Sequence, residues 1–280
     1  MTQDNQDIKL PERAFTHSGK FHCDDVFSAA LLTYLNPDIE IIRGYVVPED
    51  FDGIVFDIGG GKFDHHQEGA LVRDNGIPYA AFGLLWKEFG TLIFSEEEAE
   101  NFDKTFIQPL DYSDNTGEKN DLAEIISLFN PNWDEDVDSD ICFHEAKEVA
   151  LKILSKKINL INSVNKAKDF VFEAIEKAQD KICVLPTRAP WKNFVNGTDI
   201  EFVVYPSDRG GYNAQGVSTA VGTTQLKVPF PVEWRGKTAD ELKAISGVET
   251  LSFCHNSGFL ISAGTLEDVI EACKIAQDSK

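Results

Sequence analysis

Residues 53–61 read GIVFDIGGG, a compact apolar run that carries one aspartate and stops at three glycines. A short run of this kind bounded by glycine reads as a buried strand, and it constrains its surroundings because helices must cover it. The neighbouring segments fit that demand. Ala14–His17 is a short apolar run entering a polar loop, and Asp24–Leu35 places Val26, Ala29, Ala30 and Leu32 at near-helical spacing. Ile39–Val47 is β-branched and alternating, whereas Phe82, Leu85, Trp86 and Phe89 fall on one helical face. Ser95-x-x-Glu98 forms a capping box before Ala99, Phe102 and Phe106, and Asp121-x-x-Glu124 opens a further helix with Leu122, Ile125, Ile126 and Phe129. Strand–helix alternation of this kind predicts an α/β fold built on a parallel sheet.

The stretch His144–Gln179 is helical in pattern, with Ala146, Ala150, Ile153, Ile158 and Ile161 in its apolar stripe and neither Pro nor Gly inside. It reads as a connecting helix, with a break expected near Asn162–Asn165. Beyond Lys181, ICVLP, IEFVVYP and VETLSFC look like strands, and Thr265 caps a final helix marked by Leu266, Val269, Ile270 and Cys273. The pattern divides the chain into an N-terminal parallel-sheet domain (1–145), a long connecting helix (146–180) and a smaller C-terminal α+β domain (181–280).

Charge narrows the function classes. Asp and Glu number 47 against 26 Lys and Arg, a net charge of −21, which repels nucleic acid and anionic membranes at long range and favours cations. Non-specific electrostatic binding is excluded as the main activity; a local metal cluster or basic strip is what a nucleic-acid substrate requires. The five cysteines are scattered with no CxxC pair, which gives little support to a zinc knuckle or a disulfide framework. No apolar run is long enough to span a membrane, and the first residues lack the apolar core of a signal peptide. The expectation is a reduced, soluble, cytoplasmic protein.

Four of the six histidines lie in the first 66 residues. His17 and His22 sit in THSGKFHCDD beside Asp24 and Asp25, and His65 and His66 follow Asp64 in FDHHQ, with Asp57 between the two motifs. Imidazole and carboxylate together suit Mn²⁺, Co²⁺, Zn²⁺ or Fe²⁺, and carboxylates at strand ends face the crevice where α/β folds bind ligands. Asp111 and Asp114 in PLDYSDNTG end a helix and can reach the same crevice. Taken singly, Asp24 reads equally as a helix N-cap, Asp57 as a cap on the glycine turn, and Asp111 and Asp114 as an Asx-rich loop. Together they predict a mononuclear or dinuclear metal centre, because each fragment follows an apolar strand or helix. Ser18 and Cys23 read as loop residues, since a metal-activated water makes a covalent nucleophile redundant. In the C-terminal half, Arg209, Gly210 and Gly211 open SDRGGYNAQGV, where paired glycines let backbone N–H groups approach an anion or form a tight turn. Arg235 in WRGK and His255 in FCHNSG are further anion- or substrate-binding candidates, and Trp191 and Trp234 read as core or domain-interface aromatics.

Asp64-His65-His66 after a strand-terminal Asp57, with a His/Asp-rich first motif, resembles the DHH phosphoesterase superfamily. THSGKFHCDDVFSA, FDHHQ, PSDRGGYNAQGV, WRGK and FCHNSGFL together resemble the Myg exonuclease family, formerly described as metal-dependent protein hydrolases, over nearly the whole chain. The resemblance implies a DHH-like N-terminal domain. It implies His17, His22 and Asp24 as first-motif ligands, Asp57 as a carboxylate bridging two metals, and His65 as a direct ligand. His66 would lie nearer the substrate, and Asp111 or Asp114 would supply the fourth motif. His22 stands where many relatives have aspartate, and Tyr212 where the superfamily's accessory domain has a substrate-binding histidine. Asp25, Asp57 and His66 are the residues expected to take part in catalysis, and Arg209, Gly210, Gly211, Tyr212, Arg235 and His255 in substrate binding.

The leading expectation is a metal-dependent phosphodiester hydrolase, a 3′→5′ exonuclease on short single-stranded RNA or DNA using one or two divalent ions, Mn²⁺ first among them, in a chain that can form homo-oligomers. Its rivals are a small-molecule phosphoesterase acting on pyrophosphate, a short oligonucleotide or a cyclic dinucleotide, and a metal-binding scaffold without activity.

Overall fold

The alternation at the start of the chain forms a parallel sheet. In the computed structural model, which describes residues 10–279, β1 (Arg13–His17), β2 (Glu40–Gly44) and β3 (Ile54–Val55) lie in the order β2-β1-β3, all parallel, with α1 (Cys23–Leu35) between β1 and β2. The N-terminal segment weighed as a leader falls mostly on residues 1–9, outside the described residues. The GIVFDI run yields only two paired residues. Phe56 bridges to Phe63 instead of staying in the ladder, and Asp57 turns the chain with a left-handed φ of 56°.

The helices that follow the sheet are α2 (Ala81–Phe89), α3 (Glu96–Phe102), α4 (Gln108–Thr116) and α5 (Asp121–Ser127), of which α2, α4 and α5 pack against α1. Ser95 caps α3 with its Glu98 partner, as the spacing predicts. A single π turn, Asp103–Ile107, joins α3 to α4, and Gly117 closes α4 at φ 73°. The cap of α5 is Asn120 rather than Asp121; its side chain accepts from the Leu122 and Ala123 N–H groups. Phe27, Phe82, Phe102 and Phe106 meet edge-on or tilted at the centre of this core, with ring centroids 5.2–6.4 Å apart.

The expected long helix is α6 (Ser139–Glu176), and it runs through Asn162–Asn165 without a break. Two compact units, Met1–Ile158 and Asn159–Lys280, divide within it. Among the described residues no helix is long and apolar enough to cross a membrane.

In the second unit β4 (Ile182–Val184), β5 (Phe202–Pro206), β6 (Tyr212–Gly216), β7 (Leu251–Cys254) and β8 (Leu260–Ala263) form one mixed sheet in the order β4-β5-β6-β8-β7, with α7 (Ala239–Ser246) and α8 (Leu266–Asp278). Successive residues of β5 serve opposite faces. Phe202 and Val204 pack with Trp234, Phe230 and α8, whereas Val203 and Tyr205 pack with Trp191, Cys183 and Val171 of α6. Trp191 and Trp234 are thus core aromatics of opposite faces. All five cysteines are free, and Cys254 is a buried strand residue.

Candidate metal centre

Three ends of secondary structure converge in the first unit. β1 delivers His17 at its C-terminal end, α1 delivers Asp24 and Asp25 in its first turn, and Asp57 follows β3. The helix cap of α1 is His22, so Asp24 is not an N-cap; it lies inside the first turn, buried. Asp25 is anchored by the His22 N–H at 2.9 Å. Carboxylates at a helix N-terminus are favoured by the helix dipole, which offsets part of the cost of collecting them.

The Asp57 carboxylate is shared. Its Oδ2 lies 3.2 Å from His17 Nε2, which is also 3.1 Å from Asp25 Oδ2. Its Oδ1 lies 3.2 Å from His65 Nε2 and 3.4 Å from His66 Nδ1. His65 Nε2 is 3.4 Å from Asp114 Oδ2 and 3.2 Å from His66 Nε2. Three groups of ligand atoms, each gathered within 4.8 Å, result: His17, Asp25 and Asp57; Asp57, His65 and His66; His22, Asp24 and Asp114. Asp64 stands behind them, accepting from the Gly60 and His66 N–H groups and from His66 Nδ1 at 3.0 Å, and so orients that imidazole.

The fit to divalent cations rests on what these atoms lack. Both oxygens of Asp24 and of Asp57, and Oδ2 of Asp25, are buried without a well-aligned hydrogen-bond donor. Buried polar atoms are ordinarily satisfied, and each orphan costs free energy. His17 Nδ1 donates to the Ser18 carbonyl at 3.2 Å, which leaves the Nε2 lone pair facing carboxylate oxygens. Lone pairs converge on lone pairs, and a proton or a cation must sit among them. Hard carboxylate and borderline imidazole donors match a first-row divalent ion.

With protons alone the group is electrically frustrated. Hydrogen bonds to Asp25 and Asp57 raise His17 to about 10. Burial alone would raise Asp57, but His17 and His65 overcome it and hold the carboxyl at about 2. Burial, reinforced by the charges of Asp57, Asp114 and Asp25, pushes Asp24 well above the usual carboxylate range, and burial raises Asp25 against the pull of His17. Burial next to Asp24 likewise pushes the Cys23 thiol up, so it supplies no thiolate. Ser18 is occupied, its hydroxyl donating to Asp140 at 3.0 Å.

Asp111 and Asp114 lie inside α4 rather than in a loop, and they part company. Asp114 joins His22 and Asp24. Asp111 turns to Arg73, whose Nη2 reaches its Oδ2 at 2.7 Å, and accepts from the Gly83 N–H at 3.2 Å. A side chain at Gly83 would collide with that carboxylate, its Cβ falling 1.9 Å from Oδ2. Arg73 also grips Asp103 with two bonds of 2.6 and 2.9 Å and stacks on Tyr79. Of the two aspartates only Asp114 is in the group, a distinction that needed knowledge of Arg73.

Arg43 is the second residue that sequence reading passes over. Its buried guanidinium binds the carbonyls of His17, Gly19 and Ser139 and the Asp140 carboxylate at 2.5 Å, fixing the loop after β1 to the start of α6. The available signal was a lone arginine directly after the apolar pair Ile41–Ile42 of the strand EIIRG.

The residues expected to meet substrate lie in the second unit. Arg209 and Gly210 are exposed on the β5–β6 turn and Tyr212 opens β6. Gly210 has φ 90°, and a Cβ on Gly211 would fall 2.3 Å from the Ala263 carbonyl, so both glycines have structural reasons to be there. Arg235 is tied to the Phe230 carbonyl, and His255 to Ser257.

The MYG1_exonuc family model, described as an uncharacterised protein family (UPF0160), matches residues 13–277. The chain is 28% identical to the MYG1 protein of Saccharomyces cerevisiae, covering 96% of each chain. It is 26% identical to the MYG1 exonuclease of Rattus norvegicus over 95% of this chain and 85% of that one. A MYG1 protein of Chlamydia pneumoniae is 28% identical over 90% of this chain and 92% of its own. No solved structure matches the chain.

Proposed function

The chain belongs to the MYG1_exonuc family, and from that premise we propose that it is a metal-dependent phosphodiester hydrolase, an exonuclease that shortens single-stranded RNA or DNA from the 3′ end. The observation that carries the reading is the Asp57 carboxylate, buried, faced by histidine nitrogens alone, and shared between a His17/Asp25 group and a His65/His66 group. His17, Asp25 and Asp57 would hold one ion, and Asp57 and His65 a second, with His66 beside it as proton donor and His22, Asp24 and Asp114 alongside. Divalent ions held there, Mn²⁺ foremost, supply Lewis-acid polarisation of the phosphodiester and activation of water.

The chain's own residues do the rest. Asp25, anchored on the His22 N–H, keeps His17 in place. Asp64 fixes His66 through Nδ1, which leaves Nε2 to pass a proton to the leaving oxygen; His66 is the exposed histidine of its group. Arg43 holds the loop that carries His17. Local cation charge also reverses the sign of the site, so an acidic chain can receive a phosphate there.

Metal-stripped protein re-fed with Mn²⁺, Mg²⁺, Co²⁺ or Zn²⁺ should shorten 5′-labelled oligomers progressively. Asp57→Asn should lower kcat by about 100- to 1,000-fold, the order lost when a group stabilising transition-state charge is removed. Phosphate release from pyrophosphate alone would replace this reading with a small-molecule phosphoesterase. An absence of turnover with every metal would leave a binding protein.

A further inference from the structure

Two cavities in the second unit, of about 500 and 770 Å³, share Trp191, Lys192, Asn193 and Gln215 in their walls and so adjoin as one groove. It extends from Arg188, paired at 2.8 Å with Asp208 of the β5–β6 turn, along β6 to the loop beyond Gly216. Each cavity lies in the range of small-ligand sites, roughly 300–1,000 Å³. The lining is what sets the groove apart. Acids make up 47 of the 280 residues, yet no Asp or Glu lines either cavity, while Arg188 and Lys192 do.

Its donors are also uncommitted. Lys192 makes no ion pair, and the Asn193 side chain no hydrogen bond, among the described residues. The Arg188–Asp208 pair is exposed on both sides, the kind that contributes little and exchanges readily. Gln215 accepts from the Tyr205 hydroxyl at 3.3 Å, which steadies an amide in the floor. Trp191 and Phe259 add aromatic surface to a mixed wall that also carries Val195, Val217 and Leu226.

We propose that this groove binds a nucleotide unit, with Lys192 and Arg188 on the phosphate, Asn193 and Gln215 on base or sugar edges, and the base against Phe259. Cations beside aromatic rings are the combination that takes single strands without sequence preference. The unit comes either from a strand or from free mononucleotide, and both present the same phosphate, sugar and base. The inference rests on the exonuclease reading and deepens it by giving the nucleic acid a second contact.

The test uses the full chain with metal removed, so that binding is read without turnover. A 4-thiouridine-substituted RNA octamer, a dinucleotide and UMP are titrated, and the photo-crosslinked peptide is mapped. Crosslinks are expected in residues 188–196 or 215–226, and Lys192→Glu should weaken octamer binding at least tenfold, with Lys243→Glu as the control of equal charge change. Tighter binding of the octamer than of UMP assigns the groove to the strand; equal binding assigns it to the free nucleotide. Lys192→Glu is exposed and leaves the core untouched, which an unchanged Tm verifies. Crosslinks confined to other segments, or equal affinity in both variants, would overturn the proposal. Failure of the exonuclease reading would show differently, as binding that persists while re-fed metal yields no cleavage.

Discussion

Asp111 and Asp114 lie three residues apart on α4, and the chain uses them in opposite ways. Asp111 is fully buried and faces a guanidinium and a backbone N–H. Asp114 faces a histidine and, through Asp24, a carboxylate whose oxygens have no donors. One arrangement completes itself from the protein's own atoms. The other is left incomplete, and its atoms could hold a cation. Charge and a place on α4 are common to both, so neither by itself marks a functional residue; the partner does.

The sharpest way to break this comparison is to remove the partner that completes the first arrangement. Arg73→Met leaves Asp103 and Asp111 with no counter-charge, and should lower unfolding stability by about 3–5 kcal/mol, the cost of stranding buried charge. Denaturant unfolding of the metal-free protein measures it. A loss below about 1 kcal/mol would make Arg73 an ordinary surface residue and dissolve the contrast.

The second arrangement should respond with the opposite sign. Asp24→Asn removes a charge that burial and three neighbouring aspartates oppose, and should raise metal-free stability by about 1 kcal/mol or more. The same variant should show a smaller rise in Tm on adding Mn²⁺. Destabilisation by Asp24→Asn without metal would show that the cluster is a scaffold like the first.

A pH series sharpens the comparison further. Asp24 and Asp25 are raised in the folded state, so the fold binds more protons than the unfolded chain above pH about 4, and stability falls as pH rises. His17, raised to about 10, contributes stability that is complete below about pH 6.5 and is lost progressively as pH rises from there through about 10. The terms agree in sign from pH 5 to 9. The Tm of chelated protein should therefore drop by about 4 °C or more across that span, a shift of roughly 1–2 kcal/mol for a chain this size. Saturating Mn²⁺ should remove most of the slope, because cations then replace the protons. A flat profile without metal would contradict the frustration described for the cluster.

Much of this was legible because local signals agreed. His17 follows an apolar strand, Asp57 follows another, and the DHH run follows the glycine turn, so the parallel sheet and the histidine-rich centre could be read together. The long helix was legible from the lack of Pro and Gly across it. Its expected break was not realised because asparagine costs a helix only a few tenths of a kcal/mol, about 0.7 at most, which packing of α6 overrides. Strand β6, YNAQG, was missed because its propensity is poor and its order comes from β5 and β8 on either side. The division of labour between Asp111 and Asp114 was hidden for a different reason: it depends on Arg73, 38 residues away in sequence, and no periodicity encodes such a partner. Arg43 was hidden in the same way.

The left-handed backbone at Asp57 limits which histories are open to this site. Aspartate, asparagine and glycine enter that region at low cost, whereas other side chains crowd the following carbonyl by about 1–2 kcal/mol. Asparagine or glycine could replace Asp57 without bending the end of β3. Glutamate, the nearest chemical substitute, would keep the charge and strain the chain. Stereochemistry therefore closes the conservative exchange and leaves open the ones that abolish the carboxylate.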